Sequence, residues 1–260
     1  MHVVAVCVWK QETADLLPSL AKALGVTLYE ARQRMIGGAP AVVACLADRQ
    51  QARDLVINLR RAGISSCLVD ASAVCGKVCS FIVRRFELGM SSLYIEAGDG
   101  ESLSIPYEEI RLFLPAMDIS GHAEKKMVTE RKLSLGKTLL SGGIPMTKKV
   151  SHEEEAQSEE RRKLLYIFGG GMRPAVFGQD GMTYDGFGPE MKPSRELNFA
   201  ALLGKLRERA AHAMLDERLL TRLGQIKLLG PAQNAANGLD LAAAVLAACL
   251  LSTGEDTPGQ

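Results

Sequence analysis

The chain has 260 residues and a mass of 28.0 kDa, enough for two domains or one large one, each with its own apolar interior. Its 31 Lys and Arg against 30 Asp and Glu leave a formal net charge of +1, which excludes a global field for holding nucleic acid or an anionic membrane. Aromatics make up only 5% of residues and are not interleaved with a basic run, so no stacking platform for nucleic acid is expected.

The first 72 residues read as a compact unit. HVVAVCVW is a strand by its β-branched content. With only about seven apolar residues before charge begins, and no small-residue cleavage site, it does not read as a signal peptide. PSLAKALG places Pro18 at the first turn of a helix and Gly25 at its end. TLYEARQRMIGG opens with Thr27 and Glu30 in capping-box spacing and closes on Gly37 and Gly38, a second helix. AVVACLA is a strand. Asp48 then caps RQQARDLVINLRRAG, in which Ala52, Leu55, Val56 and Leu59 make one apolar stripe before Gly63 stops the helix. SSCLVDA is the last strand, so the order is strand, helix, helix, strand, helix, strand.

Residues 25 to 70, GVTLYEARQRMIGGAPAVVACLADRQQARDLVINLRRAGISSCLVD, resemble the C-terminal domain of the bacterial ribosomal stalk protein. The matched pieces are LYEAR, the GAP after the second helix, and the A-x-x-L-x-x-x-L-x-x-AG rhythm of the third; they cover about a quarter of the chain. The resemblance implies the same element order. It also implies a contact surface for translational GTPases made by basic residues of the second helix and the glycine-rich turn before it. Here the first basic position is Tyr29, the later one is Arg32, and the turn carries Val26 and Thr27. The expectation is an altered protein-binding face of Tyr29, Arg32 and Arg34.

From residue 78 onward the pattern changes to VCSFIVRRFEL, SSLYIEA, LSIP and IRLFLPAMDI, four strands expected to be antiparallel and separated by turns such as GDGES. Residues 121 to 162 carry AEKKMVTERK and HEEEAQSEERRK at their ends and read as a charged insertion with partial helix or disorder. KLLYIFGGG, RPAVFGQDG and MTYDGFG supply up to three further strands. Next comes SRELNFAALLGKLRERAAHAM, with Phe199, Leu202, Leu203, Leu206 and Ala210 on one helical face. Four strands, three strands and a closing helix over residues 75 to 212 resemble a bacterial pleckstrin-homology-like domain, which implies a scaffold for protein or lipid contacts. Residues 213 to 260 read as a helical tail. Its LDLAAAVLAACLL, about 13 residues long, is too short for a span of roughly 20 residues and apolar nearly all round. Asn237 and Asp240 are expected to cap its start, and it must pack on this chain or on a second copy.

RKLSLGKTLLSGG holds Gly136, Lys137 and Thr138, the end of a phosphate-binding loop. Such a loop needs a glycine five residues before Gly136, where Arg131 stands, and an apolar strand feeding it, which KMVTERK does not supply. FGGGM reads as a strand junction rather than an anion nest. Cys75 and Cys79 are spaced wrongly for a redox pair or zinc knuckle, and the four histidines are scattered. The remaining cysteines sit in apolar runs as small buried hydrophobes, with no disulfide framework expected. Tyr184, Asp185 and Asn198 lie near turns without an accompanying nucleophile. No catalytic residue, metal or cofactor is therefore expected.

These readings converge on an α+β protein, cytoplasmic and without a membrane span, that binds another protein as a non-catalytic adaptor or regulator. A nucleotide-dependent enzyme or switch using Gly136, Lys137 and Thr138 is the first alternative. A structural protein self-assembling as a homo-oligomer through the C-terminal helix is the second.

Overall fold

In the computed structural model the backbone is described for residues 1–8, 13–74, 80–133, 147–171, 173–233 and 238–252, and the side chains of these apart from 13–15, 120–133 and 147–160. The protein is mixed α+β. Met1–Asp118 together with Arg162–Gln260 form one compact unit, and Ile119–Arg161 form a second.

The first strand, β1 (His2–Val8), lies at the centre of a three-stranded antiparallel sheet, between β2 (Ala41–Leu46) and β3 (Ser65–Asp70). Helices α1 (Thr13–Leu24), α2 (Leu28–Arg34) and α3 (Arg49–Arg61) belong to the first third of the chain. They bury Leu16, Leu20, Ala31, Ala52, Val56 and Leu59 against Val4, Val6 and Val43 of the sheet. Pro18 lies inside α1 rather than at its start. The helix extends back to Thr13 because Leu16 and Leu20, one turn apart, both reach this core, at the cost of the one backbone hydrogen bond that proline cannot donate.

Val3, Ala5 and Cys7 of β1 point to the opposite face, so five consecutive residues of this strand are buried. A strand apolar on both faces needs a second covering layer. The last helix supplies it.

The second sheet has seven strands in the order β10-β7-β8-β9-β4-β5-β6. They are β4 (Phe81–Leu88), β5 (Ser92–Ala97), β6 (Ser102–Pro106), β7 (Ile110–Leu133), β8 (Thr147–Gly169), β9 (Ala175–Gly178) and β10 (Met214–Leu215). The expected division into four strands and three is corrected. β4, β5 and β6 form an antiparallel meander ending at the edge strand β6, a 3-10 turn over Tyr107–Glu109 intervenes, and β7 pairs with β8 and β10 instead. A parallel pairing of β4 with β9 joins the two sets of strands.

MTYDGFG is also not a strand. Asp185–Glu190 form a 3-10 segment, and Gly186 stands where an added Cβ would lie 2.0 Å from the Phe86 carbonyl oxygen. Only a glycine lets the segment lie this close to β4. The charged stretch expected as partial helix or disorder is extended as far as Leu133 and again from Thr147, because hydrogen bonding between neighbouring strands satisfies the backbone whatever the side-chain charge.

One face of the seven-stranded sheet buries Phe81, Phe86, Phe113 and Phe177 with Phe199, Leu202 and Leu206 of α5 (Arg195–Arg209), which follows the four-residue α4 (Ala71–Val74) in the chain. The other face, carrying Leu112, Leu114, Ala116, Tyr166 and Val176, joins a different core. That core also contains α6 (Arg222–Leu229) and α7 (Gly238–Ser252) of the chain's last segment.

Helix α7 lies between Val3, Ala5, Cys67 and Val69 of the small sheet and the outer face of β7, β8 and β9. Its Leu241, Ala242, Val245 and Leu246 are buried, and the Tyr166 hydroxyl donates to Asp240 Oδ1 at 2.7 Å. Of the two covers expected for this helix, this chain and a second copy, this chain supplies the one over its buried face. Asn237 lies outside the described residues, and Asp240 serves Tyr166. Among the described residues no helix is long and apolar enough to cross a membrane.

The expectation that the cysteines act as buried hydrophobes is corrected at two positions, because Cys7 of β1 and Cys249 of α7 form a disulfide across 242 residues. In the chain-entropy account a loop of that length stabilises the folded state by about 5 kcal/mol.

Replacing Leu246, fully buried between the two sheets, with alanine should cost about 2–5 kcal/mol. Urea unfolding followed by Trp9 fluorescence and by far-ultraviolet dichroism should show one coincident transition shifted to lower urea. Gly186→Ala should cost about 1–3 kcal/mol through the forced retreat from the Phe86 carbonyl, measured as a fall in unfolding midpoint.

Candidate functional site

The second helix owes its existence to its two ends. Thr27 Oγ1 accepts from the Glu30 amide at 3.2 Å, and Glu30 Oε2 accepts from the Thr27 amide at 2.9 Å, so each satisfies an orphan donor of the first turn. These hydrogen bonds hold the Glu30 carboxyl below the ordinary glutamate range. Gly37 and Gly38, with φ of +116° and +85°, turn the chain away at the other end.

With seven residues the helix has only two turns, and its faces are sharply divided. Ala31 and Met35, one turn apart, are buried in the small-sheet core. Around the helix from them Tyr29 is 70% exposed and Arg32 is exposed, while Leu28 (56%) at the helix start and Ile36 (51%) in the turn after it also stand out into solvent. Tyr29 and Arg32, three residues apart, are neighbours on the helix surface, and Ile36 follows in the turn just past its end. Such a grouping of aromatic, guanidinium and aliphatic groups has the composition of an interface centre, displayed on and beside a helix that its caps keep rigid.

Arg34 does not join this grouping. It is half-buried, and its Nη1 donates to the Val43 carbonyl of β2 at 2.6 Å, tying helix to sheet. Tyr29 and Arg32 therefore share the surface while Arg34 serves the fold beneath it. Gly136, Lys137 and Thr138 lie outside the described residues, as do Cys75 and Cys79.

A contribution that sequence reading missed comes from the far end of the chain. α6 borders the glycine turn after α2: Gly37, Gly38, Pro40, Arg218, Leu223 and Lys227 line one cavity of about 220 Å³. Leu223 is 61% exposed at its rim. Arg218 Nη1 donates to the Ala39 carbonyl at 2.6 Å, while its other nitrogens hold both carboxylate oxygens of Asp216. Burial pushes the Asp216 carboxyl up, but hydrogen bonds from the Arg218 side chain and backbone, with its charge, more than offset this and hold it below the ordinary aspartate range. The turn that ends α2 is thus braced by an ion pair some 180 residues away, for which no local motif exists.

Other features are built for structure or lack chemistry. Asn198 is buried, accepting from the Lys192 amide at 2.6 Å and donating to its carbonyl at 2.9 Å, and the Tyr184 hydroxyl donates to the Gln179 carbonyl. A groove of about 1040 Å³ runs over the outer face of β4, β5 and β6 beside the 3-10 segment. In it Arg85 sits opposite Glu96 and Glu87 opposite Tyr94, an arrangement of solvated cross-strand pairs. Among the described residues one trio has the proximity of metal ligands: the sulfurs of Cys7, Cys67 and Cys249 lie within 4.8 Å of one another. Two of them are already joined as a disulfide, and three thiolates in this apolar core would carry a heavy desolvation cost.

Arg218→Met should cost about 1–3 kcal/mol through loss of its charged hydrogen bonds. Because the folded Asp216 carboxyl lies below its unfolded value, its contribution is present above about pH 4 and is lost as pH falls through the folded value. Urea midpoints compared at pH 7 and pH 3 should therefore fall less in the variant than in the wild type. Comparison of the chain with protein-family models, curated proteins and solved structures yielded no match.

Proposed function

We propose that this protein is a non-catalytic protein-binding or regulatory adaptor, and that its contact face is the outward side of α2 with the glycine turn and α6 beside it. The observation that carries this reading is the exposure of Tyr29 and Arg32 on a helix that is locked into a core through Ala31, with Leu28 at its start and Ile36 in the turn after it exposed as well. Exposed apolar side chains gathered in one patch, rather than scattered singly, mark interaction sites. Tyrosine and arginine supply much of the energy of such contacts once water is excluded. The resemblance of residues 25 to 70 to the stalk-protein domain points to the same helix. The substitution of Tyr29 for a basic residue makes the face more apolar, so the partner presents an apolar pocket with an acidic rim.

Affinity capture with wild type, with the double variant Tyr29→Ala/Arg32→Ala, and with Arg53→Ala on α3 tests this. One partner should be retained by wild type and Arg53→Ala and lost from the double variant. With that partner purified, the dissociation constant should rise at least about tenfold, equivalent to about 1.4 kcal/mol. The unfolding midpoint should stay within about 0.5 kcal/mol of wild type, since exposed positions carry little stability. Equal binding by the double variant would overturn the assignment of the face, and robust turnover by the purified protein would overturn the adaptor reading.

A further inference from the structure

The disulfide between Cys7 and Cys249 has a third sulfur beside it. Cys67 of β3 lies with its Sγ 3.4 Å from Cys249 Sγ. Because Cys249 is bonded to Cys7, the proton in that contact belongs to the Cys67 thiol, which makes Cys67 a nucleophile in waiting against the Cys249 sulfur. Cys7 and Cys67 project from adjacent strands onto the same face of the small sheet, the one that α7 covers. All three residues are at most 7% exposed. External thiols are excluded, and whatever exchange occurs here is internal.

We propose that Cys7, Cys67 and Cys249 form a buried exchange relay in which the terminal helix α7 is tied alternately to the central strand β1, through Cys7, and to the edge strand β3, through Cys67. In the step, Cys67 gives up its proton and its sulfur attacks Cys249 Sγ. A bond forms between Cys67 and Cys249, the bond between Cys249 and Cys7 breaks, and the Cys7 sulfur leaves as thiolate and takes up the proton. One disulfide is consumed and one is made, so no external oxidant or reductant takes part. Both states are neutral, which an apolar core accepts far better than a cluster of thiolates.

Burial pushes the Cys67 thiol up to about 11, the nearby Arg60 charge opposing it. The thiolate is scarce at neutral pH, exchange is slow, and both linkages persist long enough to be mapped. The consequence is a redundant clasp, because losing either strand cysteine leaves the other able to hold the helix.

The test is disulfide mapping by mass spectrometry on protein refolded from denaturant in a glutathione redox buffer, which supplies the oxidant while the chain is open, then held folded for hours without added thiol, acid-quenched and alkylated before digestion. Wild type should yield both the Cys7–Cys249 and the Cys67–Cys249 peptides. Cys67→Ala should yield only the first and Cys7→Ala only the second. Cys7→Ala/Cys67→Ala should yield neither, with loss of the faster migration of cross-linked chain on non-reducing gels.

A folded Cys7→Ala protein with Cys67 and Cys249 both alkylated would overturn the proposal. So would wild type in which Cys67 is fully alkylated at every time, a result that does not depend on any variant folding. Protein isolated with all three thiols free and a stoichiometric metal ion bound would overturn it as well.

Discussion

Burial of α7 between two sheets is the contact on which the rest of the structure depends. The small sheet cannot stand with Val3, Ala5 and Val69 open to water, and the strands β7, β8 and β9 cannot leave Leu112, Leu114 and Val176 exposed. One helix satisfies both because it is apolar around nearly its whole circumference: Leu241, Val245 and Leu246 are buried, and Ala244, Ala248, Leu250 and Leu251 are partly so. At roughly 25 cal/mol per Å² of apolar area removed from water, a helix covered over most of its circumference contributes far more than one lying on a surface. The first strand and the last helix of the chain thereby become neighbours, and the disulfide between Cys7 and Cys249 makes the closure covalent.

This closure has a cost in folding and a return in surface. Contacts between residues more than two hundred positions apart must wait for the whole chain, which raises the entropic barrier to assembly. In exchange, the last segment is brought alongside the first module, where Arg218 binds the Ala39 carbonyl and α6 sets Leu223 beside the Gly37–Gly38 turn. The outward face of α2 is consequently not an isolated module's surface. It is one side of a composite in which the early helix and the late helix frame a common turn. An arginine that looked like a third contact residue, Arg34, is spent on the Val43 carbonyl, and such interior use of a guanidinium is what keeps a two-turn helix fixed in place.

Several elements were legible because the forces that make them are local. The Thr27 and Glu30 capping box, the Asp48 cap and the Ala52–Val56–Leu59 stripe all act within one or two helical turns, and each stands where the pattern put it. MTYDGFG was misread because its β-forming composition is outweighed by one backbone approach, that of Gly186 to Phe86, which no local pattern encodes. The charged residues in the later part of β7 and the earlier part of β8 read as partial helix or disorder for a similar reason: a strand is made by hydrogen bonds to its neighbour in the sheet, and charge composition is silent about them. Of the candidate face, Tyr29 and Arg32 are named by what the resemblance of residues 25 to 70 implies, whereas nothing in the sequence names Leu223 or the Asp216–Arg218 brace.

By itself the sequence determined the order of strands and helices in the first 72 residues, the caps of α2, and the need of an apolar C-terminal helix for something to cover it. Each follows from periodicity, capping or turn chemistry, which operate over a few residues. Only the tertiary structure decided that the cover is the chain's own first sheet and the outer face of β7 to β9. It alone brought three cysteines from β1, β3 and α7 within 4.8 Å and made the turn after α2 a joint product of both ends of the chain. The physical reason is that hydrophobic burial is non-directional: a sequence can state how much apolar surface must be hidden, but not which of several apolar faces will hide it.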